Sequence, residues 1–307
     1  MMILSLIIPC YNEEKSIPLF FERTERVRLQ LKVDFEYWFI DDGSQDQTLS
    51  YLKRLNKQHE YVHYLSFSRN FGKEAAMFAG LQVSTGDFVT ILDADLQDPP
   101  EVLIEMVEKI GLENVDCVAA RRMNRVGEAY LTSLGSKAFY FLMNKMSRTP
   151  VVDGVRDFRL MRRQMVDSIL SLTESSRFSK GLFTWVGFST EYVSYPNEQR
   201  VSGSTKWKFG NKIRYAMDGL INFSEIPLNF VTYSGLLMVL MTILAIIVLV
   251  IRQLFFHHSV SGWTSMVVIL LFCFGFTWLT LGVIGKYIST VFLEVKKRPI
   301  YIIKEKK

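Results

Sequence analysis

The run Asp93-Ala94-Asp95 follows directly on the uncharged segment Val89-Thr90-Ile91-Leu92. A short apolar run of this kind reads as a buried strand, so the two carboxylates are delivered to a strand end. An i, i+2 carboxylate pair can place at least one oxygen on a divalent cation, and a hard cation there would neutralise a diphosphate leaving group. Asp-x-Asp alone occurs by chance in many loops, so its weight comes from this placement. Gln97 and Asp98 lie close by. A second polar group, Asp41-Asp42-Gly43-Ser44, follows the apolar segment Tyr37–Ile40. Its carboxylates could accept hydrogen bonds from a nucleobase N–H or ribose hydroxyls. Gly43 suits a tight turn, and Ser44 or Asp46 could cap the next helix, the reading preferred for Asp46.

These groups need elements to hold them. Ile3–Ile8, Tyr37–Ile40, Tyr61–Phe67, Phe88–Leu92 and Val115–Ala119 read as strands. Ser16 to about Leu31, Thr48 to about Gln58 and Lys73 to about Val83 have helical spacing, and Pro99 or Pro100 opens another helix. Alternating strands and helices predict an α/β domain with a mostly parallel, Rossmann-like sheet. In such sheets ligands gather at the carboxyl ends of the strands, where the polar groups above fall.

Of the 307 residues, 49% are hydrophobic, and the excess sits beyond about residue 228. Phe230–Ile251 and Trp263–Gly285 carry no charge; each is about 22 residues, enough to cross a hydrocarbon core. The net charge is +5, with Lys and Arg concentrated beside the apolar segments. That placement suits anionic headgroups rather than nucleic acid. Lys206, Lys208, Lys212 and Arg214 precede the first span and Lys296, Lys297, Arg298, Lys304, Lys306 and Lys307 follow the second. The positive-inside rule therefore puts both termini and the catalytic body in the cytoplasm, on an inner or plasma membrane. Between body and spans, Phe209, Ile213, Ala216, Leu220 and Phe223 repeat as one face of an interfacial amphipathic helix. Cys10, Cys117 and Cys273 show no metal or disulfide spacing, which fits a reducing compartment. The N-terminal Met-Met-Ile-Leu-Ser-Leu lacks a charged region and a cleavage site and is not read as a signal peptide. The expected organisation is a catalytic domain over 1–205, a juxtamembrane helix over 206–227, a two-helix hairpin over 228–287 and a basic tail over 288–307.

Ile7-Ile8-Pro9-Cys10-Tyr11-Asn12-Glu13-Glu14, Asp41-Asp42-Gly43-Ser44, Arg69-Asn70-Phe71-Gly72-Lys73 and Asp93-Ala94-Asp95-Leu96-Gln97-Asp98-Pro99-Pro100 occur in that order. Together they resemble the inverting family 2 glycosyltransferases of the GT-A fold, and more narrowly the polyprenyl-phosphate glycosyltransferases: bactoprenol glucosyltransferases and dolichol-phosphate mannosyltransferases. Gly154-Val155-Arg156-Asp157-Phe158-Arg159-Leu160 and the two-span tail extend the match over essentially the whole chain.

The resemblance implies transfer of a hexose from a nucleotide sugar, UDP-glucose or UDP-N-acetylglucosamine, to polyprenyl (undecaprenyl) phosphate for cell-envelope glycans. It implies a divalent metal, Mg²⁺ or Mn²⁺. Pro9, Tyr11, Glu13 and Asp42 fall where such enzymes contact the nucleotide, with Asp41 as a further donor-binding candidate. Asp93, Asp95 and Gln97 fall at the metal and diphosphate. Arg200 and Lys206 match a mobile basic loop over the phosphates, and Lys73 is a residue type suited to the same charge, with a helix-terminal salt bridge as the alternative. Arg121 or Arg122 matches an arginine near the acceptor phosphate. Asp157 matches the aspartate assigned as catalytic base. A phosphate monoester is already mostly dianionic at neutral pH, so Asp157 can instead position the sugar or hold Arg156 or Arg159. The family includes oligomers, so a homotetramer and a downstream flippase belong to the expectation. Two alternatives stand beside it: a processive polysaccharide synthase, although no Gln-x-x-Arg-Trp motif is present and Arg200 is followed by Val201, and a catalytically silent membrane scaffold.

Overall fold

A computed structural model describes residues 2–31, 33–112, 114–122, 154–175, 177–196, 226–256 and 262–307. The expected juxtamembrane helix, as far as residue 225, and the loop carrying Arg200 and Lys206 lie outside the described residues.

The strands are β1 (Ile3–Cys10), β2 (Asp34–Asp41), β3 (Val62–Phe67), β4 (Phe88–Ile91), β5 (Cys117–Arg122), β6 (Val155–Arg162), β7 (Thr190–Tyr195) and β8 (Ile303–Lys306). They form one sheet in the order β7-β5-β6-β4-β1-β2-β3-β8. The helices are α1 (Ser16–Leu31), α2 (Thr48–Gln58), α3 (Lys73–Val83), α4 (Val102–Leu112), α5 (Arg163–Ser171), α6 (Ser179–Trp185), α7 (Ile226–Phe256) and α8 (Trp263–Val295).

The near-continuous apolar run of β1 is that of a strand covered on both faces. Leu6 and Ile8 join a core layer with Phe20 of α1 and Phe39 of β2. Ile7 points to the other layer, with Ala76 and Ala79 of α3. That alternation is the period-two geometry of a strand.

Register decides where the strand ends lie. β1 runs parallel to β2, from Ile3↔Asp34 to Cys10↔Asp41, and to β4, from Leu4↔Phe88 to Ile7↔Ile91. The loops after β1, β2 and β4 therefore open at one edge. β6 lies antiparallel to β4, with Thr90 opposite Leu160, so its first residues reach that same edge. β5 is antiparallel to β6 and β7 parallel to β5, which brings Arg122 and Tyr195 there as a register pair. The sheet is thus mixed. Its parallel heart matches expectation, while β6 and β7 were not anticipated as strands.

Helices α7 and α8 contain stretches, Pro227–Ala245 and Ile269–Val295, long and apolar enough to cross a membrane. Helix α8 continues past the expected end at Gly285 because Lys286 and Glu294 are isolated charges in an otherwise unbroken helical pattern. The last residues of the basic segment pack on the sheet. Tyr301 stacks on Phe67 with centroids 4.9 Å apart, and β8 pairs antiparallel with β3, Leu65 opposite Lys306.

Candidate active site

The loops after β1 and β2 are stitched together through their backbones. Asn12 N donates to Ser44 Oγ at 2.8 Å, Gln45 N to Asn12 Oδ1 at 2.8 Å, and Glu13 N to Thr48 Oγ1 at 2.9 Å. Asn12 takes a left-handed φ of 54°, a conformation that asparagine tolerates. The Glu13 carboxylate accepts from Ser16 Oγ at 2.8 Å, at the start of α1. Pro9 and Tyr11 flank this seam and are half-buried.

Asp41 and Asp42 have different duties. Asp41, 1% exposed, accepts from Ser44 N at 3.0 Å and from Ser66 Oγ at 2.7 Å, so its carboxylate is turned into the fold. Asp42 accepts from Phe71 N at 2.6 Å and Gly72 N at 2.9 Å, orienting the turn that opens α3. Burial, with the Asp41 charge adding to it, pushes the Asp42 carboxyl up to about 6 even though these two N–H groups and Arg69 oppose the rise. Gly43 allows the approach. Its φ is +69°, and a Cβ there would lie 2.5 Å from the Arg69 carbonyl carbon.

That turn delivers Lys73, the first residue of α3, into the cleft. Lys73 Nζ lies 2.7 Å from Asp93 Oδ1 and 2.7 Å from Asp157 Oδ2. The ammonium therefore bridges the carboxylate after β4 to the one at the start of β6, rather than closing a pair on its own helix. The Lys73 side chain keeps 35% exposure, so solvent screens part of this attraction. Burial alone would raise the Asp157 carboxyl, but Lys73, Lys180 and Arg156 hold it well below the usual carboxylate range. Of the two arginines weighed as its partners, Arg156 leans to Asp98 and Arg159 stacks on Phe183 at 3.7 Å.

Asp95 is 6% exposed and accepts from Gln97 N at 3.1 Å, closing a turn over Leu96, whose φ is +57°. A left-handed leucine costs on the order of 1–2 kcal/mol, and such strain gathers at functional sites. Arg122 Nη2 donates to the Gln97 carbonyl at 3.3 Å and to Asp98 Oδ1 at 3.0 Å. Arg121, on the opposite face of β5, is exposed.

Among the described residues no three His, Cys, Asp or Glu side chains converge as a metal cage. Asp93 and Asp95 nevertheless supply hard oxygens within one loop. Burial raises the Asp93 carboxyl, and the charges of Asp157, Asp98 and Asp95 add to the rise against the pull of Lys73. Three further carboxylates thus act on Asp93 against the one ammonium paired with it. A cation held by one or two carboxylates and completed by substrate phosphates fits such a donor set better than an all-protein cage. Sequence reasoning missed Tyr195 and Lys180, whose positions follow from β7 and α6, and it weighed Arg156 only as a partner of Asp157, not of Asp98. It noted Asp98 as a neighbour without giving it a role.

Residues 5–170 match the family described as Glycosyl transferase family 2. The chain is 42% identical over 303 residues to the protein CsbB of Bacillus subtilis, covering 99% of this chain and 92% of that one. It is 40% identical over 307 residues to the bactoprenol glucosyl transferase of Shigella phage SfX, with 99% of each covered. It is 38% identical over 307 residues to the prophage bactoprenol glucosyl transferase homolog of Escherichia coli, again with 99% of each covered. Among solved structures, glucosyl-3-phosphoglycerate synthase from Mycobacterium tuberculosis in complex with phosphoglyceric acid superposes with a TM-score of 0.50 at 17% identity. That match covers 72% of this chain and 78% of the other, a likeness of fold alone.

Proposed function

The chain belongs to glycosyl transferase family 2 and is a glycosyltransferase of GT-A fold; from that premise we propose that it transfers glucose from UDP-glucose to a polyprenyl phosphate, with inversion, at the cytoplasmic face of a membrane. The observation that carries the reading is the meeting of Asp93, Lys73 and Asp157 at the strand edge where nucleotides bind in such sheets. Support for the acceptor comes from relatives named bactoprenol glucosyl transferase that align over nearly their whole length, together with two helices fit to cross a membrane.

The step is an in-line displacement. A phosphate oxygen of the acceptor forms a bond to the anomeric carbon while the bond from that carbon to the diphosphate breaks on the opposite face. Negative charge grows on the departing nucleoside diphosphate, and fixed cations aimed there lower the barrier. Lys73, beside Asp93 and Asp157, is given this task, and the resemblance gives the same task to Arg200 and Lys206. A divalent metal held by Asp93 and Asp95, with Gln97 beside them, would neutralise the same charge. Asp42 acts at a distance, by setting the Phe71–Gly72 turn that aims Lys73. Pro9, Tyr11 and Glu13 belong to the seam on which the nucleoside would rest.

Asp157 is read as a positioning group. A carboxylate held low by Lys73 and Lys180 is a weak proton acceptor, and the acceptor phosphate, with a second pKa of about 6, needs no base at neutral pH. Its contribution is to fix the Lys73 ammonium and the orientation of the sugar.

The test is transfer of label from UDP-glucose, UDP-N-acetylglucosamine and GDP-mannose onto undecaprenyl phosphate, using the full chain in nanodiscs with Mg²⁺ or Mn²⁺. A lipid product from UDP-glucose, lost with EDTA and in Asp95→Asn, is the expected result. A product from another donor alone would replace the sugar, and none from any donor would overturn the acceptor assignment.

A further inference from the structure

Asp98 lies in the loop after β4 with 2% of its surface exposed. A buried carboxylate is costly unless it is paired and hydrogen-bonded. Here one oxygen, Oδ1, gathers partners from three other segments. Arg122 Nη2, at the end of β5, donates to it at 3.0 Å. Arg156 Nε, at the start of β6, lies 3.5 Å away. The Tyr195 hydroxyl, at the end of β7, donates a short hydrogen bond to the same atom. Arg122 Nε approaches the Tyr195 oxygen at 3.4 Å, which closes the cluster.

We infer that Asp98 is a positioning residue that holds the guanidinium groups of Arg122 and Arg156 in place for the acceptor's phosphate; the inference rests on the reaction proposed above. A guanidinium carries five N–H donors in a rigid fork, so an anchor at one side fixes the direction of the others. The contacts to Asp98 use only part of each fork. Arg122 also gives Nη2 to the Gln97 carbonyl and Nε to Tyr195, and the two arginine side chains keep exposures of 17% and 31%, whereas their anchor is sealed. Counted by themselves, the two guanidinium groups and the one carboxylate carry a formal charge of +1, the sign that suits a phosphate. The cluster stands beside the Asp93–Lys73–Asp157 group: the charges of Asp93 and Asp157 are both felt at Arg156. An acceptor phosphate bound there would sit next to the sugar's departure point. Arg121 points to the other face of β5 and does not join the cluster among the described residues.

The experiment is steady-state transfer by the full-length protein in nanodiscs, varying undecaprenyl phosphate at saturating UDP-glucose and then the reverse, for the unaltered chain, Asp98→Asn and Arg122→Lys. Arg122→Lys keeps a charge but loses the fork, and it covers the case in which Asp98→Asn does not fold. The expected result is a rise in acceptor KM of about 10- to 100-fold, with the donor KM within about twofold. A purely structural Asp98 would weaken donor and acceptor together and lower the melting temperature. That outcome, or unchanged acceptor KM in both variants, would overturn the inference. No lipid product from the unaltered chain would overturn the reading of the reaction and the inference with it.

Discussion

Asp42 is a buried carboxylate and Asp157 a half-buried one, and their surroundings drive them in opposite directions. Asp157 has Lys73 at 2.7 Å and stays ionised far into acid. Burial, with the nearby Asp41 charge, pushes Asp42 up to about 6 against the pull of its two backbone N–H donors and Arg69. Because the folded value is raised, Asp42 favours the folded state below the unfolded carboxyl range near 4, and that contribution is lost as pH rises through about 6. Asp42→Asn should therefore lose least stability relative to the unaltered protein above pH 6 and most near pH 4, as read from melting temperatures across that range. For Asp157→Asn, turnover should fall by about 10²-fold or more, since Lys73 is left with a single carboxylate and an altered direction. If Asp157 acts by holding Lys73, the pH–rate profile of the residual activity should keep its shape between pH 6 and 8. A shift of the acidic limb would instead identify a proton acceptor.

Helix α3 is the element that carries Lys73, and it seats on β1 through small residues. Ala75, Ala76 and Ala79 are buried, and a Cβ at Gly80 would lie 2.2 Å from Ile7 Cγ2. Close approach of helix to sheet thus fixes how far Lys73 reaches toward Asp93. Gly80→Val should overpack this contact, costing about 1–3 kcal/mol of stability and reducing turnover more than donor binding, measured by calorimetry and by transfer assay. At its N-terminal side α3 follows Gly72, with φ of 100°, whose amide is held by Asp42. The helix is therefore fixed at both ends, by a hydrogen-bonded turn and by a close-packed face.

Across the whole molecule, the chain beyond the second apolar helix returns to the catalytic sheet. Glu294, in the last turn of α8, accepts from Ser175 N at 2.9 and 3.0 Å. Glu305 of β8 takes Lys53 Nζ at 2.6 Å and the Tyr64 hydroxyl at 2.6 Å, and Tyr301 donates to Gln82 at 2.7 Å. β8 also covers the open edge of β3, which would otherwise offer unpaired backbone groups to other chains. Removing residues 299–307 should lower the melting temperature of the body and increase aggregation, seen by light scattering. Retained membrane association after the same deletion would show that anchoring resides in α7 and α8.

The parallel heart of the sheet was legible in the chain because apolar runs such as Leu4–Ile8 have only one way to be buried on both faces. The carboxylates at 41–42 and 93–95 were legible because each stands directly after such a run. The two long uncharged stretches announced themselves by length and composition, which depend on no contact. What lay beyond reach of the sequence was every relation between residues distant along it. That Lys73 bridges Asp93 and Asp157 follows from the antiparallel register of β6 on β4. That Asp41 turns inward to Ser66 while Asp42 holds the Phe71–Gly72 turn depends on which way two adjacent side chains point. That Asp98 gathers Arg122, Arg156 and Tyr195, and that the basic tail closes the sheet as β8, depends on strand order. Local pattern follows from burial and periodicity and can be read residue by residue, whereas pairing of distant segments is settled by the packing of the whole chain.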